Sequence, residues 1–161
     1  MGPSPPCRAV AVLVADEESL RRGGRPRGGE EPEDDTTCVL VSGRVQEQGL
    51  LALPGGKVEA GDASLAHAAA RELEEETGLV FPAGAFRVVH TLNEPDWVVT
   101  LLLVRCPAEK KQEVRNMEPE KHAPWTWRTW GDLQREPAER VYGPLRKMLN
   151  HVTLLRASGD T

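Results

Sequence analysis

LPGGKVEAGDASLAHAAARELEEETGL, residues Leu53 to Leu79, is the stretch that decides how this chain folds. It opens on Pro54-Gly55-Gly56, a turn with almost no side-chain bulk. From about Ala63 to Thr77 it is rich in Ala, Leu and Glu, which favour a helix. Gly78 follows, a residue suited to the left-handed position after a helix end. Glu72, Glu74, Glu75 and Glu76 crowd the last turns. At about 100° per residue, Glu72 and Glu76 lie about 40° apart, and Glu75 falls about 60° to the other side of Glu72. Three carboxylates therefore share one face, and Glu74 points away from it. Like charges three or four residues apart cost about 0.2–0.5 kcal/mol each on an exposed helix. Acidic groups at a helix C-terminus also oppose the macrodipole. A solvated acidic face is the simple reading. A hard divalent cation held by oxygens is the other, and the glycines favour it, because they let backbone atoms approach an ion or a phosphate. Arg71 is spaced to pair with Glu75 at i+4.

Gly56 taken with Arg71-Glu72-Leu73-Glu74-Glu75-Glu76-Thr77-Gly78-Leu79 resembles the Nudix box, GX5EX7REUXEEXGU. The second half of the pattern is met in full. In the first half, Asp62 stands where the family has Glu, and eight residues rather than seven separate it from Arg71. The resemblance implies a Nudix fold and metal-dependent hydrolysis of a phosphoanhydride. It assigns Glu72, Glu75 and Glu76 as catalytic and metal-binding carboxylates, Arg71 as the residue that orients them, and the Gly55 carbonyl as a further ligand. The implied ion is Mg²⁺, with Mn²⁺ as the alternative. Relatives often recruit one more carboxylate from a later loop. Here Glu118 and Glu120 are the candidates, and Glu120 is assigned as the ligand.

The second half of the chain, WVVTLLL, NMEPEKHAPWTWRTWGDL and YGPLRKML, resembles the small MutT-like nucleoside triphosphate pyrophosphatases, plant Nudix hydrolase 1 among them. That resemblance implies purine nucleoside triphosphates such as 8-oxo-dGTP and dGTP as substrates, cleaved to monophosphate and pyrophosphate in a nucleotide-pool sanitising role. ADP-ribose, dinucleoside polyphosphates and RNA caps are the other substrate classes, and a non-catalytic nucleotide-binding module is the alternative outside catalysis. A base pocket needs an aromatic surface and a few polar groups. Trp125, Trp127, Thr100 and Asn93 are available, and Gly56, Thr100 and Trp125 are the substrate-binding candidates. Core packing is the competing role for the tryptophans.

A chain of 161 residues suits a single domain spanning 1–161. A hydrophobic content of 39% with 28% charged residues is that of a globular protein. The net charge of −5 argues against a broad nucleic-acid surface. The expected partner is a small nucleotide, with a homodimer compatible with the pattern. Cys7, Cys38 and Cys106 form no framework and read as reduced thiols. No apolar run reaches the length of a membrane span, and the first residues lack a signal-peptide core, so a cytoplasmic setting is the default, with organelle and nucleus also open.

Taken in order, 1–7 read as a loose lead-in, Arg8–Ala15 as a buried strand, and 17–36 as a flexible insertion. Thr37–Ser42 reads as a second strand paired with the first, and Gly49–Leu53 as a third. The box helix follows, with Asp62 as its N-cap and a stripe of Ala66, Ala70, Leu73 and Thr77 against a sheet. Phe86–Leu92 and Trp97–Cys106 form a hairpin about Asn93-Glu94-Pro95-Asp96. Trp125–Trp130 reads as a strand ended by Gly131-Asp132-Leu133, 136–155 as a helix whose start Gly143-Pro144 can delay to Pro144, and 157–161 as a loose tail. This order gives an α/β/α sandwich, a mixed β-sheet between helices.

Overall fold

Two strands form the centre of the sheet. In the computed structural model, which describes residues 5–23 and 36–151, β1 (Cys7–Asp16) runs parallel to a strand at Trp97–Cys106, from the pair Cys7 and Trp97 to the pair Asp16 and Cys106. Both are apolar along most of their length, as strands covered on both faces must be. Their side chains alternate: Leu13 and Ala15 enter one core, Val12 and Val14 the other.

Beside β1 lie α1 (Glu17–Gly23), β2 (Cys38–Arg44), β3 (Leu50–Ala52) and β4 (Gly55–Lys57). Then come α2 (Leu65–Thr77), β5 (Arg87–Asn93), β6 (Trp97–Cys106), α3 (Ala108–Lys111), β7 (Thr126–Thr129), α4 (Trp130–Arg135) and α5 (Gly143–His151). The strand order is β3-β2-β1-β6-β5, with β4 pairing antiparallel to β1 and β7 antiparallel to β2. Among the described residues the result is a seven-stranded mixed sheet. On one face α2 buries Ala68, Ala69 and Leu73 against Val10, Val12 and Leu102. On the other, Trp130 and Leu133 of α4 and Leu145, Met148 and Leu149 of α5 pack on Leu13, Val39 and Leu101. This is the expected sandwich.

Several local expectations are corrected. The segment 17–36 does not begin as a loop: Glu17–Gly23 is helical, Leu20 is in the core, and the Ser19 hydroxyl accepts the Cys38 N–H at 2.9 Å. Residues 24–35 lie outside the described residues, as do 1–4 and 152–161, which include the end of the expected helix and the tail. The expected lead-in is cut short, since Cys7 already belongs to β1. Ser64, not Asp62, caps α2, accepting the His67 N–H at 3.2 Å. Ala68 and Ala69 take the buried positions, and Ala66 and Ala70 are only partly covered. Gly55 and Gly56 belong to a strand rather than a free turn. Of the helix expected over 136–155, the start falls at Gly143, at the Gly143-Pro144 pair that could delay it, and Trp130, read as the last strand residue, instead begins the helix Trp130–Arg135 that Thr129 caps. Gly78 ends α2 at φ 77°, in the left-handed region as expected.

Candidate active site

Arg71 gathers the acidic groups. Its Nε and Nη2 donate to the two carboxylate oxygens of Asp62, both at 2.9 Å. Nη2 also donates to the Lys57 carbonyl at 3.0 Å, and Nη1 reaches Glu72 at 3.1 Å and Glu75 at 3.3 Å. The extra residue between Asp62 and Arg71 does not part them, because α2 begins only at Leu65 and the preceding loop takes up the length. These hydrogen bonds from Arg71, with one from the Glu59 N–H, pull the Asp62 carboxyl down to about 2. Arg71 is held still more firmly in its charged form.

Glu76 is buried, and its carboxylate joins three segments. One oxygen accepts the Gly55 N–H at 2.8 Å, and the other lies 3.1 Å from Nε2 of His122. Its carbonyl accepts the Trp125 indole N–H at 3.1 Å. The turn that carries His122 also brings in Glu118, and ligand atoms of Glu76, Glu118 and His122 all lie within 4.8 Å of one another. Glu72 packs over Gly56 so closely that a Cβ there would sit 2.5 Å from its carboxylate oxygen. A Cβ on Gly55 would sit 2.2 Å from the Val10 carbonyl. The two glycines are therefore what allow β4 to lie between β1 and the acidic face of α2.

Burial pushes the Glu72 carboxyl up to about 7, with repulsion from Glu76 and Glu75 adding to it and Arg71 opposing. This gives a signed prediction. The folded protein keeps a proton on Glu72 that the unfolded chain releases near its ordinary value of 4.5, so stability declines as pH rises from about 4.5 to about 7. The full shift corresponds to about 3 kcal/mol. Ionised carboxylates bind cations better, so a divalent cation should raise Tm more at pH 8 than at pH 5. Thermal unfolding across that range, with and without Mg²⁺, checks it. Glu72→Gln should remove the metal-free decline, and a decline unchanged in that variant would assign it to other groups.

Two cavities meet at β4. The first, about 400 Å³, is walled by Glu72, Glu75, Glu76, Glu118 and His122. The second, about 350 Å³, is apolar over Ala11, Leu53, Val99, Leu145 and Met148, and also contains Glu94, Trp97 and Tyr142. Arg44, Gly55, Gly56 and Lys57 line both. The Arg44 guanidinium lies 4.4 Å over the Tyr142 ring, and the Lys57 ammonium 5.6 Å from the centre of the Trp97 ring. Two cations thus stand between an acidic compartment and an apolar, aromatic one. That arrangement can hold a phosphate chain at the junction and a flat apolar group beyond it.

Of the residues singled out from sequence, Glu72, Glu75, Glu76, Arg71, Gly55 and Gly56 come together. Glu120 does not: it is exposed and lines neither cavity, and Glu118 occupies the position beside Glu76. Thr100 is buried within β6 and also lines neither cavity. Trp125 packs on the α2 side of the sheet and against His122, supporting Glu76 through its indole N–H rather than facing a cavity. Sequence reasoning missed His122, Arg44, Trp97 and Tyr142. Only His122 had a local signal, four residues after Glu118.

Residues 6–150 match the NUDIX domain family. Among solved structures, the chain is similar to a MutT NUDIX hydrolase from Burkholderia pseudomallei, at 23% identity and a TM-score of 0.64 over 93% of this chain and 100% of that one. It is similar to the NUDIX domain of Shewanella oneidensis NrtR, solved with ADP ribose, at 18% identity and a TM-score of 0.62 over 97% and 88%. A MutT/nudix family protein from Enterococcus faecalis matches at 21% identity and a TM-score of 0.56 over 79% of this chain, which spans only 45% of that longer protein. At such identities these likenesses are of fold. The family match, running over residues 6–150, goes further: this chain belongs to the NUDIX domain family.

Proposed function

We propose that the protein hydrolyses purine nucleoside triphosphates, such as 8-oxo-dGTP and dGTP, to a monophosphate and pyrophosphate, with the sanitising of a nucleotide pool as its role. One observation supports this above the rest: an acidic compartment opens, past two cations, into an apolar pocket with aromatic walls. In the reaction water attacks a phosphorus, a bridging P–O bond breaks, and pyrophosphate leaves.

The donor set fits a hard divalent cation, since it is mainly oxygen and converges from α2, β4 and the Glu118–His122 turn. Glu72, Glu75, Glu76, Glu118 and the Gly55 carbonyl would hold Mg²⁺ or Mn²⁺. When bound, such an ion neutralises charge on phosphate oxygens and acidifies a water. The chain's own residues do the rest. Arg71 fixes Glu72 and Glu75. His122 and the Gly55 N–H fix Glu76. Arg44 and Lys57 face the phosphates, and the apolar pocket takes the base and excludes water.

The likeness to the ADP-ribose-bound NrtR domain favours a second reading, a nucleoside diphosphate linked to another group. A product assay separates the two. The panel is 8-oxo-dGTP, dGTP, dATP, dCTP, ADP-ribose and a diadenosine polyphosphate, each with Mg²⁺ and with chelator. The expected result is chelator-sensitive pyrophosphate release, at least about 10-fold faster for the purine triphosphates than for dCTP, a difference of about 1.4 kcal/mol. Faster cleavage of ADP-ribose or of the dinucleotide would replace this reading with the second.

A further inference from the structure

Among the described residues, Glu94 is the one acidic residue that lines the apolar cavity. Glu94 sits in the turn between β5 and β6, where its N–H donates to the Trp97 carbonyl at 2.8 Å and holds the turn closed. The other lining residues able to form hydrogen bonds through their side chains are Arg44, Lys57, Trp97 and Tyr142, of which Arg44, Lys57 and Trp97 can only donate. Glu94 forms an ion pair with Lys147 of α5, and both side chains are in part open to solvent, at 26% and 46%. A pair of that exposure is weak and exchangeable. Nothing in the packing of an apolar pocket calls for an acid there, whereas a pocket that must recognise a base does.

We propose that Glu94 is a specificity-determining residue that selects a guanine-type base in this pocket, by accepting hydrogen bonds from two adjacent N–H donors on the base edge. An ionised carboxylate only accepts. Guanine offers N1–H and the N2 amino group side by side, which match its two oxygens in a charge-assisted, paired contact. Adenine offers one amino donor beside a bare N1 acceptor, whose lone pair would face the second oxygen. Oxidation at C8 leaves the N1 and N2 donors of guanine unchanged. Glu94 therefore separates guanine from adenine and does not distinguish oxidised from normal guanine. Lys147 holds the carboxylate in place until the base competes for it.

The inference rests on the reading of the apolar cavity as the base pocket of a nucleotide hydrolase, and its test keeps the two apart. Wild type, Glu94→Gln and Lys147→Met are compared in kcat/KM for dGTP and dATP with Mg²⁺, and in equilibrium binding of dGMP and dAMP. Melting temperatures confirm folding. Wild type should favour guanine by about 10- to 100-fold in both measurements. Glu94→Gln should abolish or invert that preference, because its amide presents one donor and one acceptor, as the adenine edge requires. Lys147→Met should keep it. A parallel loss for both bases in Glu94→Gln, or a loss of preference in Lys147→Met equal to that in Glu94→Gln, would make Glu94 an anchor for α5 and overturn the proposal. Equal cleavage of dGTP and dATP by wild type would also overturn it while leaving the hydrolase reading intact. Absence of triphosphate cleavage, with dGMP binding still favoured and still dependent on Glu94, would overturn the hydrolase reading and uphold the base assignment.

Discussion

Replacing Glu76 by Gln lowers kcat with Mg²⁺ by about 1,000-fold, the equivalent of about 4 kcal/mol, while Tm moves by only a few degrees. The two halves of this expectation have separate causes. Glu76 is buried, at 5% exposure, so its carboxylate is a fixed part of the interior. Its oxygens contact the Gly55 N–H and His122 Nε2. Glutamine has the same shape. Its carbonyl oxygen still accepts from Gly55, and its amide N–H can donate to His122 in the tautomer with a bare Nε2. Hydrogen bonding in the interior is thus kept, and the charge is lost. That charge is what a divalent cation requires, and a metal ion contributes several kcal/mol to a phosphoryl-transfer barrier. Steady-state kinetics across a Mg²⁺ titration, beside a melting curve, reads both. Unchanged turnover at saturating Mg²⁺ would remove Glu76 from the metal centre.

The acidic face was legible because helix geometry alone sets it. Once the Ala-, Leu- and Glu-rich run from about Ala63 to Thr77 is read as a helix ended by Gly78, the angles among Glu72, Glu75 and Glu76 follow without knowledge of the rest of the fold. Trp97–Cys106 was legible for a similar local reason: a long apolar run fits only a strand covered on both sides. What the sequence hid is what distant segments settle between them. Gly55 and Gly56 have poor strand propensity, yet they form β4, where a Cβ on Gly55 would meet the Val10 carbonyl and one on Gly56 would displace the Glu72 carboxylate. Asp62 and Ser64 are equally good caps on paper. Asp62 is drawn away by Arg71, nine residues on, and the cap falls to Ser64. Trp125 and Trp127 were open to either a base platform or core packing, and the register of β7 against β2 turns both towards α2, the packing role. The aromatic walls come instead from Trp97, where β6 begins, and Tyr142, beside α5, which only the folded sheet brings together.

Arg71→Met should cost about 3–5 kcal/mol of stability, the usual penalty for stripping one partner from a buried ionic network. One guanidinium contacts Asp62, Glu72 and Glu75 directly and approaches Glu59 at 3.7 Å. Without it, the Asp62 and Glu72 side chains, at 6% and 13% exposure, keep little water and lose their counter-charge. Lysine offers a point charge in place of a planar fork and cannot span Asp62 and Glu72 together, so Arg71→Lys should fall between the two. The acid limb supplies an independent check. In wild type the Asp62 carboxyl is depressed to about 2, so its contribution is present above its ordinary value of 3.8 and is lost as pH falls through about 2. That limb should shrink in Arg71→Met, where the Glu59 N–H remains as the donor to Asp62. Mg²⁺ should recover part of the lost stability, because a cation bound to Glu72 and Glu75 replaces some of the missing positive charge. Urea unfolding at neutral and acid pH, with and without Mg²⁺, separates these terms. A variant as stable as wild type at neutral pH would mean that water, rather than Arg71, carries these carboxylates, and the preorganisation of the metal site would then have to come from Glu76, Gly55 and His122 alone.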